Sequence, residues 1–133
     1  MTHPLHTDDA PKIVVDLDGT VCHARQPGET YADVAPRGDV IERLHTLRGQ
    51  GYRVVIHTSR NMRTYDGDIG LINVHTAPVV LDWLQRHGVP HDEVVFGKPW
   101  PGPGGFYVDD KAVRPDEFAR YSLAQIQELI GDA

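Results

Sequence analysis

One stretch constrains this chain more than any other: Lys12-Ile13-Val14-Val15-Asp16-Leu17-Asp18-Gly19-Thr20. Its β-branched apolar run predicts a strand buried on both faces, as in a parallel sheet. The run stops in two carboxylates separated by one residue, then a glycine and a threonine. Asp18-Gly19 alone would suit an ordinary turn, since Asx and Gly residues end strands widely. A turn does not require Asp16, which breaks the apolar run from within. In α/β sheets ligand sites lie beyond the carboxyl ends of the strands. Asp16 and Asp18 are therefore predicted to serve catalysis or metal binding.

Strand and helix patterns alternate from there. Residues 21–36 read as a Gly- and Pro-containing loop, in which Cys22 is expected to be a small buried filler rather than a nucleophile. Pro36 is expected to open a helix striped by Val40, Ile41, Leu44 and Leu47, with Arg43 and Arg48 on its solvated face. Residues 53–58 predict a second buried strand ending in Thr58-Ser59-Arg60. A polar loop is expected over 61–75, then a helix capped by Thr76 that turns Val79, Val80, Trp83 and Leu84 to the core until Gly88. Val94-Val95-Phe96 predicts a third strand, followed by Gly97-Lys98-Pro99-Trp100. Prolines and glycines over 101–105 forbid a helix there. Residues 105–110, Gly-Phe-Tyr-Val-Asp-Asp, predict a fourth strand. Ser122 to Gln125 form a capping-box pattern ahead of a last helix striped by Leu123, Ile126, Leu129 and Ile130. The alternation predicts a parallel sheet covered by helices.

The chain has 133 residues, enough for one core and one domain. Residues 1–11, with His3 and His6, are expected to be a mobile arm, and 12–133 the single catalytic domain. The net charge of −6, spread along the chain, counts against a nucleic-acid backbone as partner. No stretch approaches a membrane span and no signal-peptide core is seen. Cys22 is the only cysteine, so a reducing cytoplasm is the expected location.

In a parallel sheet the strand ends share one edge. Asp16, Asp18, Thr58, Ser59, Asp109 and Asp110 are thus predicted to converge there, with Lys98 directly after its strand. Two unit charges about 4 Å apart repel by roughly 4 kcal/mol at an effective dielectric near 20. Either carboxyl pKa values rise or a cation sits among them. Oxygen-only donors favour Mg²⁺ over zinc. A Mg²⁺ site beside a lysine and a strand-end hydroxyl is a place for a phosphate.

The D-x-D-G-T motif, then Thr58, Lys98 and Asp109-Asp110, resembles in order the four-motif set of the haloacid dehalogenase superfamily, whose members are mostly phosphatases. The resemblance implies a three-layer Rossmann-like α/β core, a central parallel sheet with helices on both faces. It casts Asp16 as the nucleophile that forms an aspartyl-phosphate, and Asp18 as general acid and then base. Thr58, with backbone N–H groups of Ser59 and Leu17, would hold the phosphoryl oxygens, and Lys98 would neutralise them. Asp16, the Asp18 carbonyl and Asp110 would ligate Mg²⁺, with Asp109 in support.

Three segments, 57–62, 97–100 and 105–118, look like those of small bacterial capsule-biosynthesis phosphatases, which implies a phosphorylated sugar or polyol as substrate. Both usual cap insertion points hold only loops, so the form is capless. A small capless domain supplies few walls, and we expect a homo-oligomer in which a neighbour roofs the site. Arg60, Arg25, Arg37 and Trp100 are candidates for substrate contact, Arg60 equally for a surface ion pair. His57 is expected to point away, because strand neighbours alternate faces. The alternatives are a polynucleotide 3′-phosphatase, a receiver-like signalling domain and a non-catalytic phosphate-binding module. A receiver would carry its phosphoacceptor aspartate at the end of a middle strand, where this chain has Thr58.

Overall fold

A computed structural model describes residues 10–131. The expected arm therefore lies almost wholly outside the described residues, and Pro11 is already tied in, its carbonyl accepting the Arg53 N–H at 2.9 Å. Three strands form one parallel sheet in the order β1-β2-β3: β1 (Lys12–Val15), β2 (Arg53–Thr58) and β3 (Glu93–Phe96). Val15 lies opposite Ile56, and Thr58 opposite Phe96, so the strands run out at one edge. The α/β class and the parallel sheet are as expected.

Helices α1 (Gly38–Gly49), α3 (Ala77–Arg86), α4 (Pro115–Arg120) and α5 (Leu123–Leu129) supply the rest of the core. Val40, Ile41, Leu44 and Leu47 of α1 are all buried, as their spacing predicts. They meet Val15, Val54 and Ile56 of the sheet, Val80, Trp83 and Leu84 of α3, Phe118 and Ile126 in one cluster. Trp83 is 1% exposed, and its indole N–H donates to the Val34 carbonyl at 3.0 Å. The capping box at Ser122 forms: its hydroxyl accepts from the Gln125 N–H, and the Gln125 side chain accepts in return. Leu129, predicted on the buried stripe, is instead exposed. Arg43 is not on a solvated face; it donates to the Tyr121 carbonyl at 2.7 Å and ties α1 to the α4–α5 turn.

Three further expectations are corrected. Val14 is 62% exposed, so β1 is not buried on both faces. It is an edge strand, and the core side chains it shares with the helices point to the other face. Residues 105–110 form no strand; Phe106 and Val108 are 78% and 89% exposed. To reach a place beyond β1 the chain would have to cross about three strand spacings of roughly 4.8 Å each. A turn consumes that length: the Gly105 N–H returns to the Gly102 carbonyl at 3.0 Å. Any Cβ on Gly105 would collide with the Pro101 carbonyl. Tyr107 is then held back by a hydrogen bond from its hydroxyl to the Pro99 carbonyl.

The third correction concerns 61–75. The helix does not begin at Thr76 but at α2 (Ile69–Leu71), where the Asp68 carboxylate caps the Leu71 N–H. A π-helical turn (Ile72–Thr76) joins α2 to α3. Pro78 explains the widening, since its ring would clash with the carbonyl of Val74 in a regular α-helix. Thr76, free of capping, donates its hydroxyl to the Asn61 side-chain oxygen at 2.7 Å.

Candidate active site

The turn after β1 places both aspartates. The Leu17 carbonyl accepts N–H bonds from Thr20, Val21 and Cys22 at 3.0–3.1 Å, which winds the chain tightly. Gly19 takes φ +80 in this turn, a conformation that disfavours any side chain there. Leu17 is fully buried, and its N–H bonds the Asp16 carboxylate. Asp16 and Asp18 thereby project past the sheet edge on either side of a buried anchor.

Lys98 approaches from β3. Its N–H donates to the Thr58 carbonyl at 3.1 Å, and its ammonium lies 3.7 Å from an Asp16 oxygen. Gly97 makes this possible: it has φ +86, and a Cβ there would lie 2.8 Å from Ile69 Cδ1. Burial raises the Asp16 pKa; Lys98 and the Leu17 N–H oppose the rise, and the Asp18 charge adds to it. The Thr58 hydroxyl is buried at the end of β2 and accepts the Arg60 N–H at 3.1 Å. Its own proton can still be donated.

Arg60 is the residue the sequence reading placed least well. It is not a surface ion pair: its side chain is 1% exposed and grips both oxygens of Asp18, Nη2 at 2.9 Å and Nε at 3.2 Å. The Tyr31 ring lies over its guanidinium, 4.3 Å from centroid to carbon, a cation–π contact. Only its position two residues past a strand-end threonine hinted at this; nothing in the sequence marked Tyr31. Cys22 is the expected filler. It is fully buried, and burial together with Asp18 pushes its thiol up to about 12, with Arg60 working the other way.

Tyr107 also reaches the site although its segment is not a strand. The Lys98 ammonium sits 4.3 Å from its ring centroid. Burial raises its phenol pKa, Asp16 adds to this, and a hydrogen bond with Ser59 opposes it. His57 lies on the sheet face opposite to Thr58, yet it senses the site: burial and Lys98 lower its pKa while Asp16 raises it.

Other expected residues lie elsewhere. Arg37 pairs with Asp39 and Asp116 at 2.9 and 3.1 Å. Arg25 donates to the Glu29 carbonyl and lies 5.1 Å from the Tyr31 ring centroid. Trp100 packs against the Arg63 guanidinium and, with Met62, Asp66 and Gly67, lines an open cavity of about 310 Å³. Asp109 and Asp110 are exposed, and Asp109 accepts the Lys111 N–H at 2.8 Å. Among the described residues no three His, Cys, Asp or Glu side chains gather into a metal-holding group. The Asp16 carboxylate and the Asp18 carbonyl are oxygen donors of the type Mg²⁺ takes, but the acidic pair at 109–110 does not join them in this arrangement. No described helix is long and apolar enough to cross a membrane.

No family model and no curated protein matches the chain. A crystal structure of a Vibrio cholerae protein, described only as a structural-genomics (MCSG) target, superposes with a TM-score of 0.87 at 50% identity, over 91% of this chain and 97% of that one. Two structures of a Pnkp1/Rnl/Hen1 complex, one described as an RNA repair complex, match at 19% and 18% identity with TM-scores of 0.49 and 0.48. This chain spans only 31% and 36% of those chains.

Proposed function

The chain belongs to the same family as the Vibrio cholerae protein, and within that family we propose that it is a phosphatase of the haloacid dehalogenase type, hydrolysing a small phosphate monoester of a sugar or polyol. One observation carries the reading: Asp16 stands 3.7 Å from Lys98, whose backbone N–H is held by the Thr58 carbonyl, with a second carboxylate two residues away clamped by Arg60. A carboxylate facing an ammonium can receive a phosphoryl group and balance its charge.

In this reading Asp18, the ion-pair partner of Arg60 in the free enzyme, takes up a proton from solvent as substrate binds; an Asp16 oxygen then attacks phosphorus, and the ester oxygen leaves with that proton. A water then gives its proton to Asp18 and attacks the same phosphorus, releasing phosphate and restoring Asp16. Lys98 and the Thr58 hydroxyl steady the transferred oxygens through both steps. Arg60 fixes the orientation of Asp18, a long-range constraint that keeps acid and nucleophile in register.

Mg²⁺ belongs to the proposal as a requirement to be tested. When bound it would offset the repulsion between Asp16 and a phosphate dianion. Asp110 can serve as its side-chain ligand only if the segment beyond Gly105 moves toward Asp16. The test is a panel of phosphate esters assayed with Mg²⁺ and with EDTA. Hydrolysis of sugar or polyol phosphates that stops in EDTA and in Asp16→Asn supports the reading. No hydrolysis of any ester with Mg²⁺ present would sink it.

A further inference from the structure

β1 is an open edge. It pairs with β2 on one side, and among the described residues no strand lies along the other. Its Val14 is exposed on the sheet face. Parallel sheets are ordinarily covered, and a bare edge offers unpaired N–H and C=O groups to any extended chain. The same chain carries a segment suited to that edge. Phe106, Tyr107 and Val108 are strand-forming residue types, yet all three are exposed and in no strand. A lone chain thus leaves apolar surface uncovered in two places.

The two places match. β1 ends apolar, apolar, carboxylate at Val14-Val15-Asp16, and the arm does the same at Tyr107-Val108-Asp109. Parallel addition of the arm to β1 brings Asp109 and Asp110 to the edge that holds Asp16 and Asp18. The outer edge of β3 lies about 10 Å from β1, two strand spacings away, and would leave the carboxylates apart. Within one chain the arm is kept from β1. The Gly105 N–H closes a turn on the Gly102 carbonyl at 3.0 Å. Tyr107 donates its hydroxyl to the Pro99 carbonyl, and its ring centroid lies 4.3 Å from the Lys98 ammonium. These contacts anchor the base of the arm near the end of β3. A second copy is under no such restraint, and a two-fold axis lets each copy give its arm and receive the other's.

We propose that two copies of this chain exchange arms: residues 106–108 of each add as a parallel strand to the open edge of β1 in the other, and Asp109 and Asp110 enter that subunit's site beside Asp16. The approach of Asp110 to Asp16 is then made between copies rather than within one. Each site is incomplete without the second chain, which supplies site residues and not merely a roof. Apolar side chains that a lone chain leaves in water become part of a strand pairing. The role of Asp110 in the site rests on the phosphatase reading; the exchange itself does not.

Mass, hydrogen exchange and activity test this separately. In gel filtration with light scattering at micromolar protein, the wild type should have the mass of two 14.8 kDa chains, or of a larger even number. Val108→Asp should run as one chain with its far-UV circular dichroism unchanged. At 89% exposure the residue does little for a lone subunit, whereas a carboxylate set into a strand pairing is unfavourable. Amides of 106–108 and of β1 should exchange slowly in the wild type and faster in Val108→Asp. For activity, Asp16→Asn and Asp110→Asn chains, each nearly inactive alone, are unfolded together in urea and refolded. One site of each mixed dimer keeps both aspartates, so random pairing should restore about a quarter of the wild-type rate. A monomeric wild type, rapid exchange at 106–108, a dimer that Val108→Asp leaves intact, or a mixture no more active than its parts overturns the exchange. If the wild type hydrolyses no ester but mass and hydrogen exchange behave as stated, the exchange of arms stands and the phosphatase reading fails.

Discussion

The two aspartates of the D-x-D motif should respond oppositely to the same isosteric change. Among the described residues Asp18 is the one carboxylate paired with a guanidinium whose side chain is 1% exposed. Removing one member of a buried ion pair leaves the other charge stranded, a cost of about 3 kcal/mol at the lower end of measured cases. Asn keeps one acceptor oxygen, which is why the lower end applies. For a chain of 133 residues, about 3 kcal/mol corresponds to roughly 10 °C in Tm. Asp16 is different, because burial holds its folded pKa above the ordinary 3.8. The folded state therefore binds that proton more tightly than the unfolded chain does. Its stability falls as pH rises from 3.8 through the raised value, and at pH 7 the ionised group is a net cost. Asp16→Asn removes that cost. Thermal and urea unfolding in EDTA at pH 7 should place Asp16→Asn at or above the wild type and Asp18→Asn about 10 °C below it. Adding Arg60→Met to Asp18→Asn should recover part of the loss, since the stranded charge goes too. Equal midpoints for the two single variants would refute the reasoning.

Three further outcomes follow from the same geometry. Because burial raises the pKa of metal-free Asp16, NMR titration of its carboxyl in EDTA should give a midpoint above 3.8; a midpoint at or below that value would contradict the assignment. Asp92 accepts from the Val54 N–H and from Arg48, each at 2.8 Å. Burial pushes its pKa up, but these partners outweigh it and leave it lowered, so the stability it contributes is present above 3.8 and lost as pH falls through the lower folded value. Asp92→Ala should cost about 1–3 kcal/mol in urea unfolding at pH 7, with the difference from wild type shrinking in acid. Mg²⁺ at millimolar concentration should raise Tm relative to EDTA, by mass action on the folded state, and Asp110→Asn should reduce that rise.

The legible parts of this fold were those with local signatures. The apolar runs of β1, β2 and β3, the stripe of α1 and the box at Ser122 each carry their own period or cap. Placement between elements was harder to read. The run Phe106-Tyr107-Val108 looks like a strand, yet strand formation depends on reaching a partner, and the Gly102–Gly105 turn spends the chain needed to do so. Val14 shows the reverse face of this: its apolar character says nothing about whether a helix will cover it. The helix start at Asp68 was hidden because the residues of the following π turn break the 3.6-residue period. At the site, the aspartates and Lys98 were marked by strand ends. Arg60 was not, because a buried arginine and an exposed one look alike until their partner is known.

The claim that matters most is that Asp16 is a nucleophile. Enzyme mixed with a hydrolysed ester, quenched in acid within one turnover and digested in acid, should yield a peptide covering residues 12–20 that carries one phosphoryl group. Hydroxylamine should remove the group, and Asp16→Asn should never acquire it. Steady hydrolysis with that peptide unmodified at every quench time, or a phosphoryl group on another residue, would contradict the account.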